Sequence, residues 1–407
     1  MPMKHHPRPT LWRSHRSPPA VSLAVAGVVA AVALASTVTA AEATKYTGTI
    51  YVAGHGGHVA KAEVTVDPAN AAAPLVVKAL PQDGAKLTVS MKKHENGSSQ
   101  YKLHDVRLDG NTLYWSTYNT DVAGKIHYGT VNLSDADKVT ADIAVPVDPR
   151  ATQPAVKPDA MPYYCASAQT KGYFMPMTMS HEAYITVVDK QKPDKSFNVF
   201  LDSVLPDANY KFLHGSTDPT GTKFLAVVNL SDVPQGRMTG EHLMLILDAK
   251  ALEQGKLVKL AEGTVFGDGS GPFGASITFR STWSADGSRI FLAGGDRVWI
   301  IDANDPKLKP LNGPDGDIRI GGQAHDMLPT SDGKYALVTL RVLPYEGSDD
   351  AKKHDGMVQL YDVANSKVIG TPVSVCNVCH KAAMGTNINA MLCGLEGKLQ
   401  PVTAVSR

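Results

Sequence analysis

The feature that most constrains the fold is a turn that recurs along the chain between two short runs of β-forming residues. It occurs as Leu108-Asp109-Gly110-Asn111, Ser284-Ala285-Asp286-Gly287-Ser288 and Thr330-Ser331-Asp332-Gly333-Lys334. Asp-Gly suits such a turn because the turn needs a residue with positive φ, which glycine adopts without strain. Looser copies lie at residues 169–172, 218–221 and 395–398. The recurrence predicts a repeated unit that opens with a strand, a tight turn and a second strand.

The remainder of each unit is also strand-like, and helical periodicity is almost absent after residue 44. Short runs rich in Val, Ile, Leu and aromatic residues predict strands at 49–53, 62–66, 75–79, 113–117, 126–133, 184–188, 224–229, 243–248, 289–293, 298–302, 335–340 and 358–362. Third strands end in an aspartate, at Asp189, Asp248, Asp302 and Asp362. Only residues 248–254 look briefly helical. Many short strands separated by Gly, Pro, Asp and Asn clusters indicate an all-β fold.

A four-stranded unit of this kind resembles the blade of a β-propeller. The pattern is similar to the bacterial YVTN-type propellers, whose relatives include the periplasmic cytochrome cd1 and amine-dehydrogenase propellers. The resemblance covers nearly all of the chain after residue 40 and implies a single propeller domain over residues 41–407; it bears on fold more than on function. Six turn glycines indicate six blades: Gly110, Gly172, Gly221, Gly287, Gly333 and Gly397. A seventh, degenerate blade near residues 86–91 is the alternative.

The two ends of the predicted propeller complement each other. Residues 49–53 look like a second strand with no first strand before it. Residues 387–393, followed by Gly397-Lys398, look like a first strand and its turn with no blade after them. Joined in one blade, they would close the ring without leaving a sheet edge exposed.

Residues 1–40 have the pattern of an export signal. Four basic residues precede an apolar run at 21–35, and small residues at Val38 and Ala40 suit cleavage before Ala41. The run of about 15 residues is shorter than the roughly 20 that a membrane-spanning helix needs. The sequence therefore predicts a periplasmic or secreted protein with no stable membrane span after cleavage; an uncleaved anchor is the alternative.

Charge excludes one class of partner. The first 40 residues hold four of the 40 Lys and Arg and none of the 39 Asp and Glu, so the rest of the chain carries a formal charge near −3. A weakly acidic chain without basic clusters argues against nucleic-acid binding.

Cys376-Asn377-Val378-Cys379-His380 has the spacing of a c-type haem attachment site. In such sites the two thiols form thioethers with the haem and the adjacent histidine becomes the proximal iron ligand. Export favours this interpretation over a small disulfide loop or half a zinc site. We therefore predict one covalent haem c on Cys376, Cys379 and His380, and a role in periplasmic electron transfer with a redox partner protein or as the redox subunit of an oxidoreductase.

Blade order predicts where that motif lies. Residues 368–375 read as the outermost strand of the last full blade, so the motif falls in the connection that crosses to the next inner strand. Counting back six to eight residues from each turn glycine gives polar residues in five blades: His104, Cys165, His214, Arg280 and His325. These would line the channel near the haem, either as a metal-binding cluster that includes a sixth iron ligand or as solvated channel residues.

A second interpretation uses copper without haem. Met175, Met177, Met179 and His181 alternate as soft ligands would in an exported copper site, together with Cys165 and the channel histidines. The competing explanation is a strand whose methionines pack on one face. Cys165 and Cys393 would form a disulfide if the fold brings them together. A third interpretation is a non-catalytic propeller that serves as an interaction platform.

Overall fold

The computed structural model describes residues 44–54, 58–80, 103–118, 123, 125–134, 138–152, 164–178, 183–205, 209–233, 236–267, 277–295, 297–317, 323–341, 357–375 and 392–402. Within them the fold is all-β, as predicted, and the strands form six antiparallel sheets. Innermost strands of successive sheets contact one another in a closed cycle, so the sheets are the six blades of a propeller. The segment proposed for a seventh blade lies outside the described residues.

Each blade runs from an inner to an outer strand. In blade 1 the second, third and fourth strands are β1 (Tyr46–Gly54), β2 (His58–Val66) and β3 (Leu75–Leu80), and the inner strand comes from the end of the chain. Blade 2 contains β4 (Leu103–Asp109), β5 (Thr112–Thr117), β6 (Lys125–Asn132) and β7 (Lys138–Pro146), and a 3₁₀ turn (Pro149–Thr152) follows. Blade 3 contains β8 (Tyr164–Gln169), β9 (Tyr173–Thr178), β10 (Tyr184–Asp189) and β11 (Ser196–Phe200).

Blade 4 contains β12 (Tyr210–Thr217), β13 (Lys223–Ser231), β14 (Met238–Asp248), the short helix α1 (Ala249–Leu252) and β15 (Lys259–Phe266). Blade 5 contains β16 (Arg280–Trp283), β17 (Arg289–Gly294) and β18 (Arg297–Asp302). Blade 6 contains β19 (Gln323–Pro329), β20 (Tyr335–Arg341), β21 (Met357–Asp362) and β22 (Lys367–Ser374). The end of the chain supplies β23 (Leu392–Gly397) and β24 (Gln400–Pro401), which both pair with β1.

The ring closes as predicted, but the inner strand of blade 1 differs from the prediction in detail. It begins at Leu392 within the described residues, and Gly397 lies opposite Ile50 inside the sheet rather than in a turn. A Cβ on Gly397 would sit 2.4 Å from the carbonyl oxygen of Thr49, and one on Gly48 would sit 2.0 Å from that of Lys398. These glycines therefore allow two backbones to approach closely at an irregularity in the strand. Besides adopting positive φ in turns, glycine commonly serves this purpose in a sheet.

Local chemistry explains the turns that were predicted correctly. Gly110, Gly287 and Gly333 have φ of 57°, 70° and 67°, the conformation for which glycine was expected. The aspartates that end the third strands accept hydrogen bonds from nearby main-chain N–H groups. Asp248, for example, caps α1 by accepting from the N–H groups of Lys250 (2.8 Å) and Ala251 (3.1 Å). These aspartates are structural.

Blade 5 has three regular strands, and residues 303–317 occupy the place of the fourth. Pro306, Pro310 and Pro314 recur in this segment and cannot donate the main-chain hydrogen bonds of a ladder. Asn312 substitutes for them: its Nδ2 donates to the carbonyl of Val298 (3.0 Å) and its Oδ1 accepts from the N–H of Ile300 (2.9 Å). The outer edge of β18 is thereby covered. Among the described residues, no helix is long and apolar enough to cross a membrane.

Candidate functional site

The inner strands bring polar residues to the axis, and their register corrects the predicted equivalence. Four residues occupy equivalent positions in their blades, because the N–H of each donates a hydrogen bond across the first turn: Thr170, Asp218, Ser284 and Thr330. Counting back four residues gives Ala166, His214, Arg280 and Asp326. In blade 2 the residue at the start of the turn is Asp109, which pairs with Thr112, and counting back four residues from it gives Asp105. In blades 2, 3 and 6 the residue equivalent to His214 and Arg280 therefore lies one position after the predicted residue, which was His104, Cys165 or His325.

The mispredicted residues coincide with irregularities of strand pairing. Pairing is interrupted between Leu103 and Asp105 in β4, between Tyr164 and Ala166 in β8, and between Ala324 and Met327 in β19. An extra residue at such a bulge changes which side chains face the axis. The prediction allowed six to eight residues before each turn glycine, and in these three blades it took the His or Cys within the irregularity rather than the residue after it. The prediction therefore missed Asp105 and Asp326.

Asp105, Arg107, Arg280 and Asp326, together called the axial ion network, form a buried cluster of charges. Arg280 is 1% exposed and both aspartates are fully buried. Arg280 forms an ion pair with Asp105, and its Nε lies 3.3 Å from Asp326 Oδ2. Arg107 Nη1 lies 3.2 Å from Asp105 Oδ1 and 3.7 Å from Asp326 Oδ2. Two positive and two negative side chains thus balance across blades 2, 5 and 6, so Arg280 is not a solvated channel residue.

An axial cavity of about 560 Å³ lies beside this network, where the inner strands end. Its walls are the ends of the inner strands of all six blades and the first turns of blades 3 to 6. Arg107 belongs to both the network and the cavity wall. The Oγ atoms of Ser216 and Ser281 lie 2.8 Å apart, and Trp283 Nε1 donates to Ser216 (3.2 Å). The cavity therefore has a charged and hydroxylated wall with one indole.

Glu396 also lines the axial cavity and has unusual electrostatics. Burial raises the pKa of this carboxyl group, whereas Arg107 and the main-chain N–H groups of Gly397 and Leu108 oppose the rise. The N–H of Gly397 donates to Glu396 Oε1 at 2.8 Å. The acid form of Glu396 consequently persists to higher pH than that of an ordinary glutamate.

His214 and His325 do not converge on one point. Phe279 stacks on His325 with ring centroids 4.6 Å apart and meets His214 edge-on at 6.3 Å. Both histidines are buried, at 2% and 0% exposure. An aromatic ring thus contacts each imidazole, and within the described part of the chain no group of three His, Cys, Asp or Glu side chains could hold a metal ion.

Of the methionine and histidine ligands predicted for copper, the structure describes the first two. Met175 and Met177 are fully buried in β9, in a hydrophobic cluster that includes Ala168, Leu213 and Phe224 from blades 3 and 4. This is the packing on one face that was named as the alternative to copper binding. Met179 and His181 lie outside the described residues.

His104, Cys165 and Cys393 are placed by their main chain in β4, β8 and β23, and their side chains lie outside the described part. Cys165 and Cys393 belong to blades 3 and 1, with β4 of blade 2 contacting both strands. Their pairing remains a prediction. Cys376, Cys379 and His380 also lie outside the described residues, but the structure fixes both flanks: Val375 follows β22 of blade 6, and Leu392 begins the inner strand of blade 1.

Comparisons with known proteins give structural likeness alone. No protein-family model and no curated protein matches this chain. A candidate 6-phosphogluconolactonase from Bacteroides uniformis is 12% identical over 86% of this chain and 99% of its own, with a TM-score of 0.48. The β-propeller domain of Cps50 (Swd1) from Myceliophteria thermophila is 10% identical over 80% and 86% of the two chains, with a TM-score of 0.40. A protein of unknown function from Desulfotomaculum acetoxidans is 11% identical over 86% and 89%, with a TM-score of 0.43. Activity does not transfer at these identities.

Proposed function

We propose that this chain is an exported haem c propeller that transfers electrons to or from a periplasmic redox partner. Cys376 and Cys379 would hold the haem through thioethers, and His380 would be its proximal ligand. A haem bound there would supply a one-electron iron couple. The proposal rests on the attachment motif and on one property of the fold, the length of the connection that contains it.

That connection is longer than its path requires. It joins the outermost strand of blade 6, β22, to the inner strand of blade 1, β23. Crossing three strand spacings of about 4.8 Å is a distance of roughly 15 Å, which about five extended residues can span. Residues 376–391 number sixteen. The connection is therefore about eleven residues longer than this minimum, which leaves length for the attachment motif and too little for a separate helical cytochrome domain.

The test is the visible spectrum of the full chain produced together with haem-attachment machinery. We expect a sharp α-band on reduction and a pyridine adduct that survives denaturation and acid acetone, because thioether bonds hold the porphyrin covalently. Replacing both Cys376 and Cys379 by Ser should abolish the covalent adduct, whereas the matched control Cys165→Ser should retain it.

Other results would contradict the proposal in distinct ways. Absence of haem, in cells where a control cytochrome matures, overturns it. Stoichiometric copper that Cys165→Ser removes would favour the copper interpretation. A protein with neither haem nor copper, whose function survives His380→Ala, would favour an interaction platform.

A further inference from the structure

The axial cavity lies at the end of β23, and the chain enters that strand at the other end, from the connection that contains the haem motif. The connection with the motif enters β23 at Leu392, whereas the cavity begins near Glu396, at the end of that strand. Its volume of about 560 Å³ is within the roughly 300–1,000 Å³ of small-molecule sites. All six blades contribute to its wall, so the closed ring positions its groups. The electron-transfer proposal does not use it.

The carboxylates of the wall are already engaged by the protein. Asp218 Oδ1 accepts from the N–H groups of Thr222 (2.8 Å) and Lys223 (2.7 Å), and its Oδ2 accepts from Thr220. Asp109 lies 3.6 Å from the ammonium group of Lys190. Lys190 therefore compensates the charge of Asp109, and the oxygens of Asp218 are occupied by hydrogen bonds from the protein itself.

The two lysines of the wall are less engaged than Arg107, whose charge Asp105 and Asp326 also balance. Lys171 and Lys398 are exposed at the cavity rim and form no ion pair within the described residues. Arg107 donates from Nη1 to the carbonyl of Val106 (3.0 Å) and from Nη2 to that of Ser281 (3.2 Å). A guanidinium has five N–H donors in a planar fork that matches an oxyanion, so Arg107 retains capacity beside its structural contacts.

Glu396 adds a donor rather than a charge when it is protonated. Arg107 and Lys398 are the cations beside it, and Asp326 of β19 is the nearby carboxylate that raises its pKa further, after burial. Asp105 and Arg280 are the other charged residues nearby, and they form an ion pair with each other. A protonated carboxyl donates a hydrogen bond to an oxyanion, whereas its ionised form repels one.

We propose that the axial cavity binds a small hydroxylated organic anion, with its acidic group on Arg107 and between Lys171 and Lys398. The hydroxyls of Ser216 and Ser281 would bind the neutral part of the ligand, and Trp283 would contact its carbon chain. A carboxylate and a phosphate group share this recognition chemistry, and the experiment separates them.

The test is calorimetric titration of the full mature chain with three probes at constant ionic strength. Glucarate is a hydroxylated dicarboxylate, glucitol is its uncharged counterpart, and inorganic phosphate is the other anion class. We expect saturable binding of glucarate or phosphate below about 10 mM and at least tenfold weaker binding of glucitol, a difference of about 1.4 kcal/mol. The anion that binds identifies the acidic group.

Matched lysine variants locate the binding. Lys171→Gln with Lys398→Gln removes two exposed charges and should weaken anion binding at least about threefold, because each rim cation attracts the ligand. Lys192→Gln with Lys256→Gln removes two exposed lysines that do not line the cavity and should leave binding unchanged. Circular dichroism confirms folding of both. Equal effects of the two double variants, equal binding of glucitol, or no saturable anion binding would overturn the proposal.

The pH dependence tests Glu396. Glucarate stays ionised above about pH 5. Burial raises the pKa of Glu396, so the affinity for glucarate should fall as the pH rises through that pKa. Glu396→Gln keeps a neutral donor at every pH and should flatten this fall. A fall of the same size in wild type and variant would contradict the role of Glu396 and the proposal with it. Since no haem is involved, these outcomes are independent of the electron-transfer test.

Discussion

At the scale of residues, the side chain of Asp326 joins several parts of the ring. It lies on β19 of blade 6 and is fully buried. Its Oδ2 accepts from the N–H of Leu395 in blade 1 (2.8 Å) and lies 3.3 Å from Arg280 Nε in blade 5. Its Oδ1 accepts from the N–H of Met327 (2.9 Å). One carboxylate therefore connects three consecutive blades at the axis.

Replacing Asp326 by Ala should destabilise the protein strongly. The substitution leaves Arg280 and the N–H of Leu395 buried with fewer partners, and breaking one side of a buried ion pair costs about 3–5 kcal/mol. Asp202→Ala is the control, because Asp202 is 59% exposed and its pair with Arg150 should contribute less than about 1 kcal/mol. Urea unfolding near neutral pH measures both. Equal unfolding midpoints would show that the axial ion network does not stabilise the ring.

The sequence predicts residue types at the axis better than their roles. Arg280, His214 and His325 were expected near the channel and are found on inner strands. Their partners could not be predicted, because Asp105 and Arg280 are far apart in sequence and pair only through the ring. A signal was nevertheless present: His-Asp occurs in inner strands of two blades, at His104-Asp105 and His325-Asp326.

At the scale of elements, the irregular segment 303–317 shows how a blade tolerates prolines. Regular hydrogen bonds persist where the segment has N–H groups: Asp317 and Val298 exchange two, at 2.9 and 3.0 Å. Beyond them, the side chain of Asn312 takes over the pairing with Val298 and Ile300. The main chain of Pro306 and Pro314 also accepts from Glu262 and Phe266 of β15, which ties blade 5 to blade 4.

Asn312→Ala should loosen the outer edge of blade 5. It removes both side-chain hydrogen bonds to β18 and should cost about 1–3 kcal/mol, since the N–H of Ile300 loses its partner and the carbonyl of Val298 keeps only the N–H of Asp317. Hydrogen exchange at the Ile300 amide should accelerate by about tenfold or more. In the control Asn365→Ala, the lost side-chain hydrogen bond to Asp362 belongs to a turn of blade 6, and exchange at Ile300 should not change. Unaltered exchange in Asn312→Ala would show that the prolines alone shape the segment.

Element prediction succeeded where local chemistry decides and failed where a distant strand decides. The Asp-Gly turns at Gly110, Gly287 and Gly333 follow from the φ that the turn demands. Gly397 was assigned to a turn by the same logic. Its actual constraint is the main chain of Thr49, almost 350 positions earlier, and no local pattern carries that information.

At the scale of the whole molecule, closure depends on a few contacts between the chain ends and blade 6. Leu395 and Leu399 are buried in the core shared by blades 1 and 6. The N–H of Ser331 donates to the carbonyl of Leu399 (3.0 Å), and Tyr46 Oη donates to Asp332 Oδ2 (2.8 Å). Burial, and then this hydrogen bond, raise the pKa of Tyr46, so the phenol stays a donor through the physiological range.

Deleting residues 392–407 should therefore open the ring. The deletion removes the inner strand of blade 1, exposes the edge of β1 and loses the burial of two leucines, each contributing about 1.5–3 kcal/mol. We expect a lower urea midpoint, loss of a single cooperative transition, and faster proteolysis of residues 46–80. A peptide of residues 390–402 added in trans should raise the midpoint with the logarithm of its concentration once it exceeds the Kd, because it binds only the folded chain. Deletion of residues 403–407, past the last described residue, is the control and should leave the midpoint unchanged. If the long deletion unfolds like the intact chain, pairing between the chain ends is not what holds the propeller closed, and the axial ion network must hold the remaining blades together without β23.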